Sequence, residues 1–97
     1  MGISITELKS KLNSSDKMNI IDIRDNFSFN MGHIPGALNI PRNILVMDHK
    51  RYLSLDKTYY IYCQSGNSSS RAVNDLNYLG YNTINIDGGY NQYLLMR

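Results

Sequence analysis

Short runs of β-branched and aromatic residues alternate with segments of helical periodicity along this 97-residue chain, and that alternation constrains the fold more than any other feature. Thr58-Tyr59-Tyr60-Ile61-Tyr62 is the clearest strand, Met18 to Ile23 a second and Thr83-Ile84-Asn85-Ile86 a third; Leu38-Asn39-Ile40 has room only for a brief one. The segments between them are too long for hairpins and long enough for right-handed crossovers. A mostly parallel sheet covered by helices on both faces follows, an α/β fold.

The helices carry their own start and stop signals. Ser4-Ile5-Thr6-Glu7 fits a capping box, and Ile5, Leu8 and Leu12 recur at helical spacing up to about Asn13, before a polar turn from Asn13 to Lys17. Asp25 suits the cap of a short helix running to about Met31, with Phe27 and Met31 on one side and Gly32 ending it. His33-Ile34-Pro35-Gly36-Ala37 reads as a turn. Pro41 is pre-set for the first turn of a helix carrying Ile44 and Leu45 and ending before Arg51. Ala72, Val73, Leu76 and Leu79 predict a helix from about Ser68 to Leu79 closed by Gly80, and Tyr90 to Met96 a last one after the turn Asp87-Gly88-Gly89.

Residues 1–97 suit one domain, because a chain this size cannot hold two independent cores, and 42% hydrophobic with 19% charged residues suffices for one. The formal charge of +2 is dispersed. Its one cluster, His49-Lys50-Arg51, reads as a solvated helix end, and no basic-aromatic surface for nucleic acid is present. No segment has the ~20 apolar residues of a membrane span, and no signal-peptide pattern opens the chain. Met1-Gly2-Ile3-Ser4-Ile5-Thr6 formally fits a myristoylation pattern, but it runs into the helix start and reads as chance. The single cysteine, Cys63, cannot form an internal disulfide, and a free thiol agrees with a cytoplasmic location. Cys63, His33 and His49 match no zinc spacing, so no metal is expected.

Cys63 stands at the carboxyl end of a buried strand, where open parallel sheets place their ligand sites. The small, polar segment Gln64-Ser65-Gly66-Asn67-Ser68-Ser69 can curl and aim several N–H groups at one point, and a helix N-terminus adds its positive end there. Such a cradle favours thiolate, the form a nucleophilic sulfur needs. Against this stands the ordinary role of a lone cysteine, a small buried apolar residue; the strand-loop-helix setting favours the functional reading.

Three stretches resemble the rhodanese family: Ile21-Asp22-Ile23-Arg24 with Gly32-His33-Ile34-Pro35-Gly36-Ala37-Leu38-Asn39-Ile40-Pro41; the loop from Cys63 to Ser69; and Ile86-Asp87-Gly88-Gly89-Tyr90. The resemblance implies a three-layer fold with a five-stranded, mostly parallel sheet, and a two-step sulfurtransferase reaction without metal or cofactor. Cys63 would take the outer sulfur of a donor such as thiosulfate as a persulfide and pass it to cyanide or to a protein or low-molecular-weight thiol. Gln64, Ser65, Gly66, Asn67, Ser68 and Ser69 would hold the small sulfur-containing anions. Many family members place an arginine five residues after the cysteine, where this chain has Ser68. Arg71 is the nearest substitute, with two placements open, facing the cleft or solvated. Asp22 and Arg24 read as a structural ion pair around the mouth and His33 as a turn-stabilising residue. Gly88 and Gly89 would let the last loop approach the cysteine loop, with Tyr90 as a pocket wall. Two other readings are a cysteine-dependent phosphatase, whose His-Cys-x5-Arg pattern fails here at Tyr62 and Ser69, and a non-catalytic binding module or persulfide relay; the retained cysteine disfavours an inert module.

Overall fold

The computed structural model describes residues 2–14 and 17–97. Its elements follow in the order β1 (Gly2–Ile3), α1 (Ile5–Leu12), β2 (Asn19–Asp22), α2 (Asn26–Met31), β3 (Leu38–Asn39), α3 (Arg42–Met47), α4 (His49–Tyr52), β4 (Thr58–Tyr62), α5 (Asn67–Tyr78), β5 (Asn82–Ile86) and α6 (Gly89–Met96). The strands form one five-stranded sheet in the order β1-β5-β4-β2-β3, and every pairing is parallel.

The period of two along each strand sorts side chains onto two faces. Ile21, Tyr59, Ile61 and Cys63 point to one face and pack with Leu45 of α3 and with Ala72, Val73 and Leu76 of α5. Ile20, Tyr62 and Ile86 point to the other, where Ile5 and Leu8 of α1, Phe29 of α2 and Tyr90 and Tyr93 of α6 cover them. Helices therefore lie on both sides of the sheet.

Local signals were obeyed where they were strong. The Ser4 hydroxyl accepts from the Glu7 N–H at 3.1 Å and the Glu7 carboxylate from the Ser4 N–H at 3.3 Å, which is the expected capping box. The Asp25 carboxylate accepts from the Ser28 N–H at 2.8 Å and caps α2. Part of the expected 13–17 turn lies outside the described residues.

Three features differ from expectation. The edge strand β1 pairs Gly2 with Asn85 and Ile3 with Ile86, and two residues carry no readable period. The helix expected to end before Arg51 does so at Met47, but a further short helix not expected from the sequence, α4, follows across Arg51; a hydrogen bond of 2.7 Å between His49 and the Tyr81 hydroxyl holds that extra turn. Phe27 and Met31 share a side of α2, but it is the solvent side, and Phe29 packs inward.

Candidate active site

The loops after β2, β4 and β5 converge at the carboxyl edge of the sheet, and Cys63 lies among them, 6% exposed. Its chain turns sharply because Gly66 adopts φ +99°, which opens α5. The Gly66 and Ser69 N–H groups then donate to Cys63 Sγ at 3.1 and 3.3 Å. The Ser69 hydroxyl, wholly buried, lies 3.3 Å from the same sulfur. The expected backbone cradle is thus present.

Burial opposes charge on the thiol, but the Ser69 hydroxyl and the amides of Ser69, Gly66 and Ser65 outweigh it, so Cys63 titrates below an ordinary thiol. Thiolate is the reactive form. Alkylation of Cys63 by iodoacetamide is therefore expected to have its pH midpoint below that of an unstructured cysteine, near 8.5, and to slow as pH falls through it. A midpoint at or above the peptide value would contradict the cradle's electrostatic role.

The last loop fixes this arrangement from below. The Tyr90 N–H donates to the Cys63 carbonyl at 3.0 Å and the Asn91 N–H to the Gln64 carbonyl at 2.9 Å. The Gln64 amide also donates to Asn91 Oδ1 at 2.6 Å. Gly88 and Gly89 do approach the cysteine loop: a Cβ on Gly66 would lie 3.0 Å from the Gly88 nitrogen, and one on Gly89 2.8 Å from the Gln64 carbonyl oxygen.

Above the sulfur opens a recess of about 360 Å³ lined by Ile23, Arg24, Asp25, Ser28, Cys63, Gln64, Ser65 and Ser68. Arg24 is held by Asp22, with Nη2 to carboxylate 2.7 Å and both side chains nearly inaccessible. It also donates to the Gly32 carbonyl at 2.7 Å and to Gln64 Oε1 at 3.0 Å. The Tyr62 phenol beneath is pushed well above its ordinary pKa, by burial first and then by its hydrogen bond to Asp22. Arg24, Gln64 and Tyr90 also line an adjoining recess with Phe27 and Met31, so Tyr90 stands as a wall one step from the cysteine. A larger recess of about 490 Å³ beside Lys50 and Tyr81 contains no thiol, so chemistry rather than volume singles out the Cys63 recess.

Of the residues picked from sequence, Cys63, Gln64, Ser65 and Ser68 line the recess, and Gly66 and Ser69 form its floor. Asn67 and Arg71 are exposed on the first turns of α5 and do not line it. The cation there is Arg24, which the sequence assigns to an ion pair framing the mouth. His33 is exposed, stacked on Phe29 and bonded to the Phe29 carbonyl at 2.9 Å, as a turn-stabilising residue would be. Among the described residues no cluster of His, Cys, Asp or Glu could hold a metal ion.

The sequence profile described as Rhodanese-like domain matches residues 4–95. The chain belongs to the rhodanese-like domain family. Its fold is that of solved family members: SSP1007 from Staphylococcus saprophyticus superposes with a TM-score of 0.88 at 38% identity, over 95% of this chain and 91% of that one. The human single-domain sulfurtransferase TSTD1 superposes with a TM-score of 0.85 at 28% identity, over 99% of this chain and 96% of that one. YqhL of Bacillus subtilis is 38% identical over 78 residues, which are 79% of this chain and 61% of YqhL; this rhodanese-like domain therefore spans about three fifths of that relative.

Proposed function

We propose that this rhodanese-like domain moves sulfane sulfur through a persulfide on Cys63. The observation that carries the reading is the cradle itself, in which N–H groups at 3.1 and 3.3 Å converge on a buried sulfur beneath an open recess. Cys63 thiolate attacks the outer sulfur of the donor, the donor's S–S bond breaks, and sulfite or a thiolate leaves with the electron pair. The acceptor, cyanide or a thiolate, then attacks the outer sulfur of the persulfide, and Cys63 leaves as thiolate, ready for the next turn. Both steps pass through anionic sulfur, which aimed backbone dipoles stabilise without a cofactor. The membership of sulfurtransferases such as TSTD1 in this fold family supports the same reading. The lone free thiol suits a reducing compartment such as the cytoplasm.

The charges around the recess support one class of donor. Its only cation among the described residues, Arg24, is committed to Asp22, and Asp25 adds a carboxylate. Dianionic thiosulfate is held poorly there, and persulfides or polysulfides of lower charge suit it better. Ser68→Arg is expected to raise kcat/KM for thiosulfate roughly tenfold, the worth of one charge-assisted hydrogen bond, and to leave transfer from a neutral persulfide donor nearly unchanged. An equal gain for both donors would overturn the charge argument. Thiocyanate formation from cyanide tests the whole reaction: turnover is expected with a sulfane donor and none with Cys63→Ser.

A further inference from the structure

Asn85 lies between Ile84 and Ile86 on β5, and the alternation of the strand turns it toward α5. Asn85 is 6% exposed. Its two amide ends have different partners: Nδ2 lies 2.9 Å from Asp87 Oδ1 and Oδ1 lies 2.5 Å from Ser69 Oγ. A carboxylate only accepts, so the end facing Asp87 must be the N–H₂ end. The end facing Ser69 is then the carbonyl oxygen, which cannot donate.

The Ser69 hydroxyl has one proton and three acceptors around it: Asn85 Oδ1 at 2.5 Å, the Gly66 carbonyl at 3.2 Å and Cys63 Sγ at 3.3 Å. The shortest contact takes it. With the proton on the Asn85 side, Ser69 Oγ is free to accept from a neutral Cys63 S–H, and the chain Cys63 to Ser69 to Asn85 is satisfied throughout. An anionic sulfur has no proton to give, so the same hydroxyl must rotate and donate to Sγ, leaving Asn85 Oδ1 unpaired.

The geometry points to Asn85, oriented by Asp87, as a positioning residue for sulfur transfer: it holds the Ser69 hydroxyl proton while Cys63 is a neutral thiol and releases it to Sγ when the sulfur is anionic. When Cys63 ionises its proton leaves to solvent, while the Ser69 proton stays on Oγ and changes direction. The buried amide thereby competes with the sulfur for one donor and opposes the stabilisation given by the N–H groups of Gly66 and Ser69. The other charged groups near the sulfur are Arg24, paired with Asp22, and Asp25, both after β2; Arg71 on α5 is exposed.

Alkylation of Cys63 by iodoacetamide across pH tests this without any sulfur donor, so its result is separate from that of the transfer assay. Asn85→Leu keeps the branched shape and the number of heavy atoms and removes the acceptor. It is expected to move the midpoint to lower pH and to speed alkylation on the acid side roughly tenfold, as one hydrogen bond to an anion would. Ser69→Ala is expected to move the midpoint up, and Asn85→Leu added to Ser69→Ala to have no further effect. Asp87 is exposed, so Asp87→Ala provides a variant that leaves the core intact; it frees the amide to turn and is expected to act like Asn85→Leu, again only when Ser69 is present. Unchanged midpoints in folded Asn85→Leu or Asp87→Ala, or shifts that persist in the Ser69→Ala background, would overturn the assignment.

Discussion

Asp22→Ala is expected to lower the free energy of unfolding by about 3 to 5 kcal/mol, a large part of the roughly 5 to 15 kcal/mol available to a domain of this size. Asp22 is fully buried and accepts from the Arg24 N–H at 2.8 Å, from Nε at 3.0 Å and from Nη2 at 2.7 Å. Burial works against the charge on Arg24, and the Asp22 carboxylate outweighs it. Removing Asp22 leaves a nearly inaccessible guanidinium without its carboxylate, held by the Gly32 carbonyl, Gln64 and the faces of the Tyr90 and Tyr62 rings. Removing both members of the pair leaves no such charge, so Asp22→Ala with Arg24→Met is expected to recover a substantial part of the loss. Guanidinium unfolding midpoints of the three variants check this. A loss under about 1 kcal/mol for Asp22→Ala, the range of exposed pairs, would contradict the structural role of the pair.

Gly89→Ala is expected to cost about 3 kcal/mol and to reduce sulfur transfer by more than tenfold. Gly89 has φ +61°, and its added Cβ would fall against the Cys63 carbonyl oxygen and 2.8 Å from that of Gln64. Those carbonyls cannot retreat, because the amides of Tyr90 and Asn91 hold them. The substitution therefore adds overpacking to backbone strain and pushes directly on the cysteine loop. Gly36 supplies the control: it has φ +85° with nothing within 4 Å of its Cβ position, so Gly36→Ala carries the strain alone, about 1 kcal/mol, and leaves transfer intact. Equal losses at the two positions would show that the close approach at Gly89 does not hold the site.

The parts of this molecule that were legible in sequence are those fixed by neighbours in the chain. Thr58 to Tyr62 forms β4 as read, because five β-favouring residues in a row need no distant partner to declare themselves. Ser4 with Glu7 and Asp25 with Ser28 cap helices through contacts three residues apart. The cradle around Cys63 was readable for the same reason, since all its donors lie within six residues of the sulfur. What escaped depends on contacts far along the chain. β1 exists through its pairing with β5, and α4 through the Tyr81 hydroxyl. The placement of Arg71 depends on the rotational phase of α5 against the cleft, which local spacing leaves open. Asn85 left a visible signal, a polar residue between two isoleucines on a buried strand, but its meaning required knowing that Ser69 lies opposite.

Transfer through a persulfide requires that Cys63 accept a single sulfur atom, which intact-protein mass measurement after incubation with a sulfane donor reads without any acceptor. The expected result is one addition of about 32 Da, reversed by a thiol reductant and absent from Cys63→Ser. No addition with any sulfane donor, or an addition that survives Cys63→Ser, would contradict it.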